Sequence, residues 1–379
     1  MKKNILIINS RFEKNPFLID SIKELEKKDY VFKLLSSESD FLRDFEQNKK
    51  PWRKIYLGPL IEGRFGLFKF FLAYPLLLFY HFCLIIIEKR GRKIQSVICL
   101  DWNEKFIYTP LAKIFRMNIL WFERTEINYR KVPRCLLGLY KRFYQKVKLV
   151  VFTNKAKIKL ESLGFDKENI HLIYPGIRLK KEVVRQDSIF SELSKKERAN
   201  FNRKYFTLGA VTDYFSPNQI ENLFQAIKIC QTVIPNIQLI LVGDGPNKKQ
   251  AAWTAGKMDM ENITWFVGRQ TILEKWLGNF DIYITVAEIV KLSDIKLLLK
   301  AVNNGLPILS FRGVGYGDFV YENETGFLSE LGDNESLAQN ILKLRNNKLL
   351  AKKLGKQGRS LVEEKFNIKY QSEKFEKIL

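Results

Sequence analysis

The acidic residue Glu123 follows the apolar run NILWF (118–122), which predicts a short strand. At the end of such a strand, Glu123 could accept a proton from a substrate hydroxyl as a general base. An equally good alternative is a salt bridge between Glu123 and a nearby arginine or lysine. The two histidines, His81 and His171, lie within an apolar run and just before a strand, so we expect both to be structural.

Four glycines, Gly209, Gly243, Gly245 and Gly268, lie within or directly after apolar runs in the second half of the chain. Ligands of parallel α/β sheets bind beyond the carboxyl ends of strands, where glycine lets the backbone approach a phosphate and helix N-termini offer N–H groups. These glycines therefore predict a phosphate site. Each could equally be an ordinary turn glycine at the end of a strand.

Short apolar runs alternate with helical patterns along most of the chain. The first half begins with the run NILIINS (4–10), and the alternation restarts with FTLGAVT (206–212). This order predicts parallel, doubly wound sheets of the α/β class. We expect a first domain over residues 1–180, a linker over 181–204 and a second domain over 205–363.

The bulk composition supports two folded domains in a reducing compartment. The 379 residues exceed the roughly 250–300 at which a single core stops growing. The four cysteines form no C-x-x-C pair, so neither a zinc site nor a disulfide framework is indicated. The net charge of +23 predicts a phosphate-bearing partner: nucleic acid, anionic lipid or a phosphorylated small molecule. No recognisable nucleic-acid-binding motif accompanies this charge, and we expect no nucleic acid partner.

Two segments of the first half could meet a membrane. Residues 66–87 are apolar nearly all round, so they could form a buried helix, a transmembrane helix or a helix lying in the plane of the bilayer. A span would put predicted strands of one sheet on opposite sides of the membrane. Residues 129–148 carry seven basic and no acidic residues, which suits an anionic bilayer surface or an ordinary solvated face. The apolar run at the N-terminus is shorter than a signal-peptide core.

Five stretches of the second half carry a further signal through their order and spacing. They are LILVGDGPNKKQ (239–250), NITWFVGR (262–269), FDIYITVAE (280–288), KAVNNGLPILS (300–310) and GYGDFVYENETGFLS (315–329). In this order and at matching intervals they resemble the C-terminal domain of family 4 glycosyltransferases, and residues 150–177 are similar to the end of that family's N-terminal domain.

This resemblance implies a GT-B fold, in which two Rossmann-like domains face each other across a cleft. The second domain would bind a nucleotide-sugar donor and the first an acceptor, with the last helix, within 364–379, returning to the first domain. Glu123 and Glu288 are the candidate catalytic residues. The candidate donor-binding residues are Gly209, Thr212, Asp213, Gly243, Asp244, Gly245, Gly268, Arg269, Ser293, Asp294, Lys296 and Lys300. On the acceptor side they are Ser10, Arg11, Asp101, Trp102 and Arg124.

The chain departs from the family pattern at its donor site. Lys300 stands where the family has the second of two glutamates, and Leu292 stands in place of the first, unless Glu288 substitutes for it. Two basic residues that would bind donor phosphates are replaced by Ala210 and about Asn218. Losing such electrostatic help typically costs on the order of 10²–10³ in rate per group. Lys296 or Lys300 could restore a cation, and Lys300 could equally be a solvent-facing helical lysine.

The sequence therefore supports two main hypotheses. The first is a divergent glycosyltransferase that moves a sugar from a nucleotide-sugar donor to a lipid-linked or polysaccharide acceptor of a surface glycan, such as lipopolysaccharide, capsule or exopolysaccharide. The resemblance implies retaining stereochemistry and no metal or other cofactor. The enzyme would be cytoplasmic and peripheral on the anionic inner face of the cell membrane. The alternative is an inactive accessory subunit of the same fold that binds a glycosyltransferase or glycan partner.

Overall fold

The chain folds into two compact units in the computed structural model. The first unit comprises Met1–Pro175 and Ile368–Leu379, and the second comprises Gly176–Asn367. The predicted linker over 181–204 lies outside the residues that the structure describes. The described residues are 2–10, 16–61, 63–90, 93–123, 134–144, 147–179, 205–214, 217–270, 272–287, 290–313 and 315–379.

The first unit is built on a sheet of seven parallel strands in the order β3-β2-β1-β4-β5-β6-β7. Its strands are mostly apolar because helices cover both faces of such a sheet, and the exception is the short edge strand WRK at 52–54, whose residues are exposed. The pairing of β1 with β2 runs from Lys3 opposite Tyr30 to Asn9 opposite Ser36. The strands are β1 (Lys3–Asn9), β2 (Tyr30–Ser36), β3 (Trp52–Lys54), β4 (Ile94–Cys99), β5 (Asn118–Phe122), β6 (Lys148–Val151) and β7 (Ile170–Leu172).

Helices connect these parallel strands. The longest of them, α3, contains Pro75 and packs one face against the core of the unit, where Phe70, Leu77 and Ile85 are buried. The described helices are α1 (Pro16–Glu26), α2 (Ser39–Gln47), α3 (Gly63–Lys89), α4 (Trp102–Ile114), α5 (Arg134–Phe143) and α6 (Asn154–Ser162).

The second unit has a six-stranded parallel sheet in the order β10-β9-β8-β11-β12-β13. Its strands are β8 (Phe206–Val211), β9 (Ile237–Val242), β10 (Thr264–Gly268), β11 (Ile282–Ile284), β12 (Ile308–Phe311) and β13 (Gly326–Ser329). The described helices that follow along the chain are α7 (Pro217–Gln231), α8 (Lys248–Lys257), α9 (Leu273–Leu277), α10 (Leu292–Asn303), α11 (Asn334–Asn346), α12 (Lys348–Lys365) and α13 (Ile368–Glu376).

The last helix, α13, belongs to the first unit although it follows the second along the chain. Its Phe375 ring stacks on Phe122 with centroids 5.5 Å apart. The final carbonyl groups accept hydrogen bonds from residues at the start of two strands, at 2.7 Å from Ser96 Oγ to Leu379 O and 2.8 Å from Lys148 Nζ to Ile378 O. These bonds fix the end of the chain to the sheet of the first unit.

Each sheet reverses its strand order at one place, between β1 and β4 in the first unit and between β8 and β11 in the second. The prediction of two doubly wound α/β halves is confirmed. In open sheets of this kind, the crevice for ligands lies beyond the carboxyl ends of the two strands at the reversal. These two switch points are therefore the places to search for a site.

Candidate functional site

The switch point of the second unit carries a lysine and two acidic side chains. Asp213 follows β8, and Lys291 immediately precedes α10. The Lys291 Nζ atom lies 2.9 Å from Asp213 Oδ2. Asp294, in the first turn of α10, accepts a hydrogen bond of 2.8 Å from the backbone N–H of Lys291 through Oδ2. The strand reversal thus brings Asp213 close to Lys291 and Asp294, which follow it by 78 and 81 residues in the sequence.

Burial and neighbouring charge favour the protonated form of Asp294. Burial raises its pKa to about 6, and the nearby Asp213 carboxylate acts in the same direction, whereas the hydrogen bond from Lys291 N–H opposes them. Near neutral pH this aspartic acid is consequently close to its titration point. A phosphate entering the cluster would meet the Lys291 ammonium group and the N-terminus of α10, both of which favour an anion.

Gly243 and Gly245, which follow β9, are in close contact with the loop after β8. A Cβ atom on Gly243 would lie 1.9 Å from Thr212 O, and one on Gly245 would lie 1.6 Å from Asp213 O. Gly243 also has φ of +135°, which disfavours other residues. These glycines are required because two backbone segments meet here, and their contact fixes Thr212 and Asp213 at the switch point.

Gly209 and Gly268 have different surroundings. Gly209 lies inside β8, where a Cβ atom would be 2.0 Å from the Phe280 ring, so packing inside the unit explains this glycine. Gly268 ends β10 with φ of +80°, and its carbonyl accepts a hydrogen bond of 2.8 Å from Gly243 N. Arg269, the next residue, is exposed. The phosphate-binding role predicted for these glycines stays a prediction.

Lys300 forms an ion pair within the second unit. Its Nζ atom lies 3.0 Å from Glu274 Oε1 on α9, and both side chains are largely buried. The expectation of a solvent-facing lysine is therefore wrong, since α9 packs a carboxylate against this position. Among the predicted donor residues on α10, Ser293 is exposed and Lys296 is half-buried. Asp244 lies 3.7 Å from Lys248 Nζ at the start of α8.

The switch point of the first unit is acidic. Ser10 follows β1, and Asp101 caps the N-terminus of α4. Glu104 joins them, because its Oε1 atom accepts hydrogen bonds from the backbone N–H of Ser10 at 3.3 Å and of Asp101 at 2.6 Å. Burial, with a contribution from Asp101, raises the pKa of Glu104 to about 7.

Two buried oxygen atoms at this switch point, Ser10 Oγ and Glu104 Oε2, have no hydrogen-bond partner among the described residues. Glu104 was not among the predicted site residues. The sequence signal that could have found it is the capping box, since Asp101 is followed three residues later by a glutamate. The arrangement offers oxygen acceptors, which suits a ligand hydroxyl.

Glu123 takes part in a buried ion pair beside this switch point. Lys105 Nζ, on α4, lies 2.8 Å from Glu123 Oε1, and Tyr140 on α5 donates a short hydrogen bond to the same oxygen. The alternative of a salt bridge to a nearby lysine is therefore confirmed. The other oxygen, Glu123 Oε2, has no hydrogen-bond partner among the described residues. Its proposed role as a base stays a prediction.

The remaining predicted residues have simpler placements. Trp102 begins α4 and packs against Tyr140, with ring centroids 4.6 Å apart. His81 is structural, as expected: burial lowers its pKa to about 4, and its ring nitrogens contact Tyr108 Oη and Tyr56 O at 3.0 Å each. Arg11, Arg124 and Glu288 lie outside the described residues. Within the described part of the chain, no three His, Cys, Asp or Glu side chains are grouped to hold a metal ion.

Comparison with known proteins supports the resemblance found in the sequence. Residues 191–361 match the family described as glycosyl transferases group 1. N-acetyl-alpha-D-glucosaminyl L-malate synthase of Bacillus anthracis is 26% identical over 156 residues, which are 41% of this chain and 40% of that protein. The capsular polysaccharide biosynthesis glycosyltransferase CapM of Staphylococcus aureus is 23% identical over 227 residues, 58% of this chain and 54% of that one. The chain thus matches about half the length of these relatives.

The fold is shared over a much greater length. The crystal structure of Anabaena Alr3699/HepE in complex with UDP matches 100% of this chain and 99% of its own, with a TM-score of 0.78 and 14% identity. At that identity the likeness concerns the fold alone. Together with the two parallel-sheet units, it confirms the predicted GT-B fold. The resemblance to glycosyltransferases is confirmed by the family match over residues 191–361.

Proposed function

We propose that this chain, whose residues 191–361 match the glycosyl transferases group 1 on a GT-B fold, transfers a sugar from a nucleotide-sugar donor. The acceptor is a lipid-linked sugar or polysaccharide of a surface glycan such as lipopolysaccharide, capsule or exopolysaccharide. The observation that carries the proposal is the cluster of Asp213, Lys291 and Asp294 at the switch point of the second unit. The relative CapM, named for capsular polysaccharide biosynthesis, and the UDP complex of the neighbour support it.

In this proposal Lys291 supplies a positive charge for the donor. When the donor binds, the ammonium group exchanges the Asp213 carboxylate, 2.9 Å away, for a phosphate oxygen. The N-terminus of α10 adds N–H groups to the same anion. Lys291 would then stabilise the charge that develops when the bond between the sugar and the diphosphate breaks. It would replace part of the basic charge lost at Ala210.

The acceptor would bind to the first unit, where Ser10, Asp101 and Glu104 offer oxygen atoms to a sugar hydroxyl. The acceptor oxygen forms a bond to the anomeric carbon as the bond between that carbon and the diphosphate breaks, and the hydroxyl proton passes to one of the proposed catalytic carboxylates. Glu123 and Glu288 remain the proposed catalytic carboxylates. We expect retention of configuration and no cofactor besides the substrates; an undiminished rate in excess EDTA and the anomeric configuration of the product test these expectations.

We also propose that transfer takes place at the cytoplasmic face of the cell membrane, with the chain bound as a peripheral protein. The helix Phe65–Lys89 is long and apolar enough to cross a bilayer by length and composition, and 28% of its most apolar window is buried in the protein. Co-fractionation with membranes, and release from them by alkaline carbonate, would support a peripheral location.

The first experiment is a thermal-shift panel with UDP, GDP, dTDP and ADP and their sugars at constant ionic strength, with pyrophosphate as the anion control. A ligand at about a hundred times its dissociation constant adds roughly 2.7 kcal/mol of stability. Lys291→Met should weaken the base-selective nucleotide about 10- to 100-fold, since hydrogen bonds to charged groups contribute roughly 1.5–3 kcal/mol. Lys352→Met is the matched control, because Lys352 is an exposed lysine on α12 of the same unit and is not among the candidate donor-binding residues.

Equal weakening in Lys291→Met and Lys352→Met would reject the assigned role of Lys291. A selective nucleotide identifies the donor for transfer assays with lipid-linked and polysaccharide acceptors. Sugar transfer that depends on that donor completes the test of the proposed function.

One observation favours an alternative, a non-catalytic subunit that binds a glycosyltransferase or glycan partner. The position where the family has its second glutamate holds Lys300, which is engaged with Glu274 inside the unit. A ligand panel that leaves the melting temperature of folded protein unchanged would favour this alternative over the enzyme.

A further inference from the structure

The helix α3 exposes a long apolar face. From Phe65 to Phe79 the apolar side chains on this face follow one another at intervals of three or four residues, Ile86 and Ile87 continue the face two turns further on, and its length is about 33 Å at 1.5 Å per residue. Leu72 and Leu76, near its middle, are 72% and 77% exposed. The large apolar residues of the face are Phe65, Phe68, Leu72, Leu76, Phe79, Ile86 and Ile87. An exposed apolar area of this size is typical of an interaction surface rather than of scattered surface residues.

The opposite face of α3 is fixed to the protein. Phe70, Leu77 and Leu84 are buried in the core of the first unit. His81 contacts Tyr108 Oη and the carbonyl of Tyr56, each at 3.0 Å. A helix that spans a bilayer alone has lipid on every side, whereas this helix has protein on one side throughout its length. The geometry is that of a helix lying along a surface.

The charges around the exposed face suit an anionic bilayer. Among the exposed side chains described on this face of α3, Lys69 is the charged one. The carboxylate of Glu88, near the end of the helix, is largely buried and paired with Lys33 at 2.6 Å and Arg53 at 3.1 Å. Tyr80 is exposed on the same face, and tyrosine is favoured at the level of lipid headgroups. Apolar surface with net positive charge is complementary to acidic phospholipid.

We propose that the exposed face of α3, from Phe65 to Ile87, inserts in the plane of an anionic lipid bilayer while the opposite face stays packed in the first unit. Binding would come from burial of the apolar side chains, with attraction between basic groups and acidic lipid added to it. This inference rests on the surface of α3 and does not depend on the proposed sugar transfer.

Contacts inside the first unit join this membrane face to the acceptor-side switch point. The side chain of Asn103 on α4 donates to the carbonyl groups of Leu57 and Pro59, at 2.9 and 2.8 Å, in the segment that leads into α3. Phe106 on α4 packs against Phe71 of α3, with ring centroids 6.2 Å apart. If the proposed function holds, membrane binding would therefore hold the acceptor site near the bilayer surface, where a lipid-linked acceptor is presented.

The test measures binding of the full chain to phosphatidylcholine vesicles with and without phosphatidylglycerol, by co-sedimentation. Wild type should bind strongly only with phosphatidylglycerol. Leu72→Glu combined with Leu76→Glu should lower the partition coefficient by at least about tenfold, because burying one leucine side chain is itself worth roughly that factor. Ile158→Glu is the matched control: Ile158 is an exposed apolar residue on α6 of the same unit, and its substitution should leave binding unchanged.

Three results would overturn the proposal. The first is wild type that fails to bind acidic vesicles, and the second is equal binding by the Leu72/Leu76 variant when circular dichroism shows it folded. The third is wild type that resists extraction by alkaline carbonate, which would indicate a spanning helix. Sedimentation velocity without lipid tests whether a second copy of the chain covers the face instead of a bilayer. The face would be assigned to a second copy if wild type were a dimer, the double variant were a monomer, and both bound vesicles equally.

Discussion

Replacing Lys105 with methionine should destabilise the first unit strongly, because it would leave the buried Glu123 carboxylate without its cation. The two side chains are almost fully buried and 2.8 Å apart, and methionine occupies much of the same space. Removing one partner of a buried ion pair typically costs about 3–5 kcal/mol of unfolding free energy. For a unit of this size, each kcal/mol corresponds to roughly 2–4 °C, so we expect a melting temperature about 6–20 °C lower.

The assay is urea unfolding followed by tryptophan fluorescence, together with thermal melting followed by circular dichroism. Lys113→Met is the matched control, because Lys113 is an exposed lysine of the same helix and should change stability by less than about 0.5 kcal/mol. The combination of Lys105→Met with Glu123→Gln tests the cause, since the neutral amide can still accept the hydrogen bond from Tyr140. We expect it to recover at least about 2 kcal/mol of the loss.

Two outcomes would refute this reasoning. If Lys105→Met cost no more than Lys113→Met, the buried pair would contribute nothing to the stability of the unit. If the combined variant were as unstable as Lys105→Met alone, the loss would come from altered packing and not from an unpaired charge.

Three further predictions follow from the sites. Glu104→Gln should gain stability relative to wild type as pH rises from about 5 to about 8. The raised pKa of Glu104, about 7 against an ordinary 4.5, stabilises the wild-type fold at low pH, and this contribution is lost as pH rises through 7. The same pH dependence of melting temperature in both proteins would contradict the prediction. Gly245→Ala should lower the free energy of unfolding by about 2 kcal/mol or more and weaken nucleotide binding, because the added methyl group would clash with Asp213 O. Gly317→Ala is the control in the same melting assay, because the space around that position is open. Ser96→Ala should lower unfolding free energy by about 1 kcal/mol through loss of the bond to Leu379 O, and an unchanged urea midpoint would contradict it.

The fold could be predicted from the sequence because strand periodicity is local. The runs that begin with residue 4 and residue 206 are strands in the structure, and their alternation with helices specifies a parallel sheet. The stretch 39–54, which forms α2 and β3, is harder to predict because both elements are short and charged, although Phe41, Leu42 and Phe45 give α2 one buried apolar face. A short edge strand with three exposed residues leaves a weak pattern.

The site was harder to predict because its contacts depend on how loops turn. Lys291 was not selected, since nothing in the local sequence shows that its side chain reaches Asp213, 78 residues earlier. Lys300 was considered as a cation for the donor, but its partner Glu274 lies on another helix. Gly243 and Gly245 are in close contact with the backbone of the chain itself, and their predicted role in binding a phosphate stays a prediction.

The chemistry of the two switch points supports the proposed division of substrates without reference to any relative. In the second unit, the Lys291 ammonium group and the N-terminus of α10 meet at one point, and a diphosphate needs both positive charge and N–H donors. In the first unit, Ser10, Asp101 and Glu104 supply oxygen atoms, which repel a phosphate and attract a hydroxyl. Both switch points carry carboxylates, since Asp213 and Asp294 lie at the second, but Lys291 adds an ammonium group there. The charge distribution therefore favours the donor in the second unit and the acceptor hydroxyl in the first.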